Sequence, residues 1–357
     1  MAKIATVFGT RPEIIKMSRL IPLLDARYGK GHKFYYTSQH FSKNMMDVFF
    51  QELGVRAPDK ILQVNSSEVD KIVAALQPEF EADKPELVVV YGDTNSTLAS
   101  AIAAKNAKCK LAHVEAGLRS FDKKMPEEKN RLKIDRKSDY LFAPTELQRK
   151  FLELEKAKGK IFVVGNTVVD ACLHYVQKSE GNPILHIVGV EPGAYILLTA
   201  HRQENVDRPK RIVKLLHELA TIGQKIVFPM HPRTKKMFQE KGIKLPENIR
   251  VIDAVGYLEF LKLMKNASVI ITDSGGVQEE AVALKVPCLT IRESTERWEA
   301  IEAGGNFLVG LEPRLCKYYV KMILESGLGA KMRSASNPYG DGTASKKIDE
   351  KIAEIIK

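Results

Sequence analysis

Short apolar runs that halt at a glycine or an acid, then give way to helical spacing, recur along this chain, and that alternation leaves few folds open. Ile4–Phe8 is the first such run. It stops at Gly9-Thr10-Arg11-Pro12, and over 13–26 apolar residues return at helical intervals as Ile14, Ile15, Met17, Leu20, Ile21 and Leu24. Pro12 suits a first helical position. The spacing predicts further strands at 33–37, 87–91, 109–113, 140–143 and 161–164, with helices over 42–53, 96–107, 125–138 and 146–158. A second series has strands at 195–199, 226–229, 249–252, 269–272 and 287–291, and helices over 208–222, 257–265 and 277–284. Such alternation implies an α/β chain of doubly wound parallel sheets, helices on both faces, with ligands outside the C-terminal strand ends. At 357 residues the chain exceeds one core, so two such domains are expected, 1–170 and 171–342, joined near the helix over 167–178 and its following SEGNP run.

The stretch 269–284, VIITDSGGVQEEAVAL, is the most explicit chemically. Its strand ends at Asp273-Ser274-Gly275-Gly276 before a helix. Glycines there let a ligand approach the backbone, and the unpaired N–H groups and positive dipole end of the helix favour an anion such as phosphate. Glu279 and Glu280 follow at once, and an acid beside a phosphate site suits a neutral donor such as a ribose hydroxyl. Other polar residues gather at strand ends: Arg11, Lys16, Asp93, Glu115, Glu127 and Glu128 in the first half, His201, Arg202, His231, Arg233 and Glu280 in the second. If the two sheets face each other, all of these line one cleft. Each also has a plainer reading. Asp93 heads an Asp-Thr-Asn helix start, and Glu127 and Glu128 follow Pro126 where acids suit the helix dipole. His113, ending an apolar strand, reads as structural. His201 leaves its strand into Arg-Gln-Glu-Asn, a poor core environment, and reads as functional.

Composition narrows the classes. The formal charge of +11 suits an anionic ligand, but it comes from lysines spread along many helices rather than one basic block, which argues against nucleic acid. No apolar run is long enough to cross a bilayer, and the start, MAKIATVFGTRPEIIK, lacks a signal peptide's apolar core, so a cytoplasmic protein is expected. Cys109, Cys172, Cys288 and Cys316 show no CxxC spacing and sit among apolar residues, so buried free thiols and no metal site are expected. Nucleophile elbow, P-loop lysine, GxGxxG and HExxH motifs are all missing, which removes support for hydride transfer and kinase chemistry. What remains is acid–base chemistry on a ligand anchored by its phosphates.

Nine blocks sharpen this: GTRPEIIKMSRLIP (9–22), GDTNSTLA (92–99), HVEAGLRS (113–120), MPEEKNR (125–131), GNTVVDA (165–171), TAHRQEN (199–205), TDSGGVQEEA (272–281), TERWEA (295–300) and NPYGDG (337–342). In this order, over essentially the whole chain, they resemble the non-hydrolysing UDP-N-acetylglucosamine 2-epimerases. The resemblance implies two Rossmann-like domains facing across a cleft, as in glycosyltransferase-B folds, with the C-terminal helix 343–357 packed back on the first domain. It also implies a homodimer, a UDP-sugar substrate, a place in polysaccharide biosynthesis and no added cofactor. The implied reaction is reversible interconversion of UDP-N-acetylglucosamine and UDP-N-acetylmannosamine, by anti elimination of UDP to 2-acetamidoglucal and syn re-addition. By motif position Asp93, Glu115 and Glu127 match the family's catalytic carboxylates, and Lys16 and His201 its other active-site residues. Arg11, Ser274, Gly275 and Gly276 match phosphate contacts, Glu280 the ribose contact and Phe260 the uracil neighbourhood.

The chain departs from the family pattern at a second, activating site. Gln39-His40 is followed by Phe41 and His201-Arg202 by Gln203, where activated bacterial members carry basic residues. Weak or altered activation is therefore expected, with Gln39, Arg202 and His231 lining that region. Two enzymatic alternatives remain, epimerisation of a modified UDP-sugar such as a diacetamido uronic acid and glycosyl transfer on the same architecture. A non-enzymatic nucleotide-binding module is the remaining class.

Overall fold

The computed structural model describes residues 2–37, 50–202, 205, 209–230 and 232–356, which form two compact units: Met1–Ala171 with Tyr339–Lys357, and Cys172–Pro338. The first unit holds β1 (Ile4–Phe8), β2 (His32–Tyr36), β3 (Lys60–Ile61), β4 (Leu87–Tyr91), β5 (Lys110–Val114), β6 (Tyr140–Ala143) and β7 (Lys160–Val163). They make one parallel sheet in the order β3-β2-β1-β4-β5-β6-β7. Sequence order therefore runs outward in both directions from the β1–β4 pair. At such a reversal the connections leave on opposite faces and open a crevice at the C-terminal strand ends. Every residue of β1 and β4 is buried, as strands covered on both faces require. Against them packs the alanine-rich helix Asn95–Asn106, whose small side chains allow close approach, flanked by Leu76 and Phe80 of helix Val69–Asp83.

Helical spacing over 13–26 predicts one helix, yet two form, Arg11–Met17 and Ile21–Tyr28. The cause is Pro22, which lacks an N–H and whose ring would collide with the carbonyl four residues back, so it is accommodated in a new first turn. At the other end of the chain, the start of helix Ala344–Ile355 is held within this unit. Asp170 accepts the N–H groups of Ala344 (3.1 Å) and Ser345 (2.6 Å), and Arg27 forks onto Asp349 at 2.9 and 2.5 Å.

The second unit repeats the plan with β8 (Tyr195–Thr199), β9 (Lys225–Met230), β10 (Ile249–Asp253), β11 (Val269–Thr272), β12 (Cys288–Thr290) and β13 (Asn306–Leu308), in the order β10-β9-β8-β11-β12-β13. Here the reversal falls between β8 and β11. Its core joins Ile196, Leu198 and Ile271 of the sheet to Leu215 and Leu219 of helix Pro209–Ala220 and to Val320 of helix Pro313–Glu325. The helix after β11 begins at Gly275, two residues earlier than the apolar pattern alone predicts, so Gly275 and Gly276 form its first turn. The strands β3 and β13 and the helices Val69–Asp83, Pro232–Glu240, Pro313–Glu325 and Leu328–Arg333 lie outside the sequence-based set. The helix expected over 42–53 falls mainly outside the described residues. All four cysteines are free and buried, and no described helix is long and apolar enough to cross a membrane.

Candidate active site

In the first unit the crevice is built by the loops after β1, β4 and β5. Gly9 allows the loops after β1 and β4 to touch, since a Cβ there would lie 2.0 Å from Ser96 Oγ. Glu13 ties them together. Its Oε2 accepts the N–H groups of Gly9 (2.8 Å) and Thr10 (2.7 Å), and its Oε1 accepts the hydroxyls of Thr94 (2.7 Å) and Thr97 (2.9 Å). Burial raises the Glu13 carboxyl above its ordinary value, against these hydrogen bonds. Arg11 heads helix Arg11–Met17, and burial lowers its guanidinium, with Glu52 opposing. A cation that burial disfavours gains most from an anionic partner.

Asp93 follows β4 and Glu115 follows β5, strands paired Tyr91 to Val114, so the two acids leave neighbouring strand ends. Each is met by a cation. Arg131 grips Asp93 Oδ2 through Nε (2.9 Å) and Nη2 (2.6 Å), and Asn130 Nδ2 donates to the Asp93 carbonyl at 2.9 Å. Lys16 Nζ lies 3.3 Å from both oxygens of Glu115 and 5.1 Å from the centre of the Tyr91 ring. Glu115 takes a backbone φ of +72°, which side chains rarely adopt and which turns its carboxylate back over Gly92. The adjacent acids of helix Pro126–Lys137 separate. Glu128 is buried, accepting from Ser120 N (2.9 Å), Phe121 N (3.1 Å) and Arg131 Nη1 (2.8 Å), so it shapes the loop after Glu115. Glu127 is half-buried in the first turn, and no described residue bonds it.

In the second unit the crevice lies between the loops after β8 and β11. Asp273, fully buried, accepts the N–H groups of His201 (3.0 Å) and Arg202 (3.0 Å) and Asn205 Nδ2 (2.8 Å), and His201 Nδ1 stands 3.1 Å from its other oxygen. Burial pushes the Asp273 carboxyl up, but these bonds and the charge of His201 outweigh it and hold the group below its ordinary value. The His201 ring is half exposed, with Nδ1 occupied, so Nε2 is the nitrogen left to meet a ligand. It lines a cavity of about 240 Å³ with Thr199, Ser274, Val277 and Phe260, the last from helix Tyr257–Lys265. Ser274 is the N-cap of helix Gly275–Ala283, so the backbone N–H groups of its first turn lie at this edge. A side chain at Gly275 would come within 2.7 Å of Glu296 Oε1.

Glu279 and Glu280 also part ways. Glu279, fully buried, pairs with Arg297 at 2.7 Å and belongs to the packing of the unit. Glu280 is buried and receives the Tyr257 hydroxyl at 2.8 Å; burial, with that carboxylate beside it, pushes the phenol well above its ordinary value. Arg202 turns inward, donating from Nε to the Asp273 carbonyl at 3.0 Å. Gln39, His40, Phe41, Gln203, His231 and the Arg233 side chain lie outside the described residues. Sequence reasoning missed Asp273 and Arg131. The first sits directly after a buried strand, and the second one helical turn beyond Glu127, both usable signals.

A family model for UDP-N-acetylglucosamine 2-epimerase matches residues 24–353. A UDP-N-acetylglucosamine 2-epimerase of Methanocaldococcus jannaschii is 45% identical over 371 residues, covering 99% of this chain and 98% of that protein. A UDP-2,3-diacetamido-2,3-dideoxy-D-glucuronate 2-epimerase of Pseudomonas aeruginosa is 38% identical, covering 99% and 100%. The crystal structure of the M. jannaschii epimerase in complex with UDP-GlcNAc and UDP has a TM-score of 0.90 at 43% identity, covering 98% of this chain and 99% of that one.

Proposed function

The chain belongs to the UDP-N-acetylglucosamine 2-epimerase family, and from that premise we propose that it reversibly interconverts UDP-N-acetylglucosamine and UDP-N-acetylmannosamine. The reaction proceeds by anti elimination of UDP across C1 and C2 to 2-acetamidoglucal, then syn re-addition to the other face. One observation carries the reading: Asp93 and Glu115 leave neighbouring strand ends, each held by its own cation. The C2 proton is weakly acidic, so its removal must accompany departure of the diphosphate. Loss and return of a proton on opposite faces calls for more than one acid–base group. Asp93, Glu115 and Glu127 take this work, with Lys16 paired to Glu115.

The second unit holds the nucleotide. Phosphate meets the backbone of Ser274, Gly275 and Gly276 and His201 Nε2, with Arg11 assigned to it as well, so charge that builds on the leaving diphosphate is stabilised as it forms. Phe260 covers uracil and Glu280 takes the ribose hydroxyls. Incubation with UDP-N-acetylglucosamine in deuterated water tests the reading: deuterium at C2 and UDP-N-acetylmannosamine are expected, and the absence of both overturns it. The P. aeruginosa relative motivates a second substrate arm, since the proton chemistry is unchanged with a diacetamido uronic acid sugar. Faster exchange on that nucleotide replaces the substrate but keeps the mechanism. The proposal extends, on the family resemblance alone, to a cytoplasmic homodimer; light scattering at twice 40.0 kDa is the expected mass.

A further inference from the structure

We propose that His113 is a positioning residue for the two acids, a single buried imidazole that holds both the turn leading into Asp93 and the turn that follows Glu115. The inference rests on the assignment of Asp93 and Glu115 to proton transfer. His113 is fully buried in β5, paired with Val90 of β4. Its Nε2 lies 2.8 Å from the carbonyl of Gly92, the residue before Asp93. Its Nδ1 lies 2.7 Å from Asp135 Oδ1, and Asp135 Oδ2 accepts the N–H of Gly117 (3.2 Å) and Arg119 Nη2 (2.7 Å).

The two turns need such support. Gly92, Glu115 and Gly117 have φ values of +71°, +72° and +83°. Glu115 is the member of this trio with a side chain, and a left-handed residue of that kind persists only where its surroundings over-determine it. Gly117 N is fixed by Asp135, and Asp135 is aimed by His113. Both groups facing the ring, a carbonyl and a carboxylate, are acceptors, so the two bonds coexist only when both ring nitrogens carry protons. Arg119, itself forked onto Glu155 at 2.8 and 2.7 Å, closes the charge balance around Asp135. Burial would raise the Asp135 carboxyl, but His113 and Arg119 hold it below its ordinary value. The strut therefore stays ionic and directional.

Two variants divide its two bonds. His113→Asn places an amide donor near the Nδ1 position, retaining Asp135 and releasing Gly92. His113→Gln places one near Nε2, with the opposite effect. Both are expected to keep calorimetric UDP affinity within about twofold, because neither bond of His113 reaches a residue assigned to the nucleotide. Both should lower kcat and C2 deuterium exchange by about 10- to 100-fold with KM nearly unchanged, as a misplacement of about 1 Å can cost that much. Added to Asp93→Asn, neither should reduce the residual rate much further. Wild-type kcat in folded His113→Asn and His113→Gln, or a loss that tracks the unfolded fraction, overturns the proposal and leaves the acids in place. Full exchange in Asp93→Asn and Glu115→Gln overturns the acid assignment, and His113 falls with it. Nitrogen-15 histidine spectra of the unmodified protein need no variant to fold: a proton on each ring nitrogen of His113 is expected from its two acceptors, and one bare nitrogen removes the strut.

Discussion

The loops after β1 and β8 occupy the same place in two sheets of one plan, and each hands two successive backbone N–H groups to a buried carboxylate. In the first unit Glu13 takes those of Gly9 and Thr10; in the second Asp273 takes those of His201 and Arg202. The neighbours differ. Around Glu13 the remaining donors are the neutral hydroxyls of Thr10, Thr94 and Thr97, and burial drives its carboxyl up. Around Asp273 stand His201 and the Asn205 amide, and the carboxyl is held down. A doubly wound sheet leaves orphan N–H groups where its first strand ends, so a carboxylate clamp answers a need of the fold. Whether that clamp also joins the chemistry depends on what shares it. Glu13 is a cramp beneath a loop, whereas Asp273 orients an exposed histidine beside a helix N-terminus.

The division assigns proton transfer to one unit and, Arg11 apart, charge stabilisation to the other, and the largest expected effects can break it. Asp93→Asn and Glu115→Gln should each lower kcat by about 10²- to 10⁴-fold, with calorimetric UDP affinity within about twofold. A large fall in affinity with kcat intact would reverse the roles of the units. Arg297→Ala removes the cation paired with the buried Glu279 carboxylate and should destabilise the second unit by about 3–5 kcal/mol in denaturant unfolding. Unchanged unfolding would show that this pair adds nothing to the packing. His201→Asn removes Nε2 from the cavity edge and should cost about 10²- to 10³-fold in kcat. Asp273→Asn should lose somewhat less, because the ring remains but its orientation loosens. A greater loss for Asp273→Asn would mean that the carboxylate acts directly.

Much of the strand pattern was legible because buried parallel strands are written as contiguous, largely apolar runs: Ile4–Phe8, Leu87–Tyr91, Tyr195–Thr199 and Val269–Thr272 fall where the pattern placed them. Short edge strands such as Lys60–Ile61, exposed at both residues, carry no apolar signal. The split of 13–26 depended on Pro22, a local cue overridden by continuous apolar spacing. At the candidate site, residue type and strand-end position drew attention to Asp93, Glu115 and His201, but not to how neighbours divide their work. Glu127 from Glu128, and Glu280 from Glu279, differ by one position on a helix, hence by about 100° of rotation, and a sequence shows both as paired acids. Asp273 and Arg131 were hidden for the opposite reason: each makes its mark through partners distant in the chain.

The smallest expected effect tests the two clamps directly, through opposite signs of pH dependence. Glu13 has a folded pKa above its unfolded value near 4.5. Its contribution is therefore fully present below pH 4.5 and is lost as pH rises through the folded value. Asp273 has a folded pKa below its unfolded value near 3.8, so its contribution is present above pH 3.8 and is lost as pH falls through the folded value. Each unit of separation is worth about 1.4 kcal/mol. Glu13→Gln isolates the first arm. Its amide oxygen can keep the Gly9 and Thr10 N–H bonds, while its NH₂ faces Thr94 and Thr97, whose hydroxyls can turn from donor to acceptor; Thr97 Oγ1 already has the Tyr91 carbonyl at 2.7 Å to take its proton. Unfolding measured from pH 4 to 8 should show Glu13→Gln gaining on the parent as pH rises, then running level once Glu13 is fully ionised. Parallel curves across that range would mean that the Glu13 carboxyl titrates alike in both states, and the contrast between the two clamps would rest on Asp273 alone.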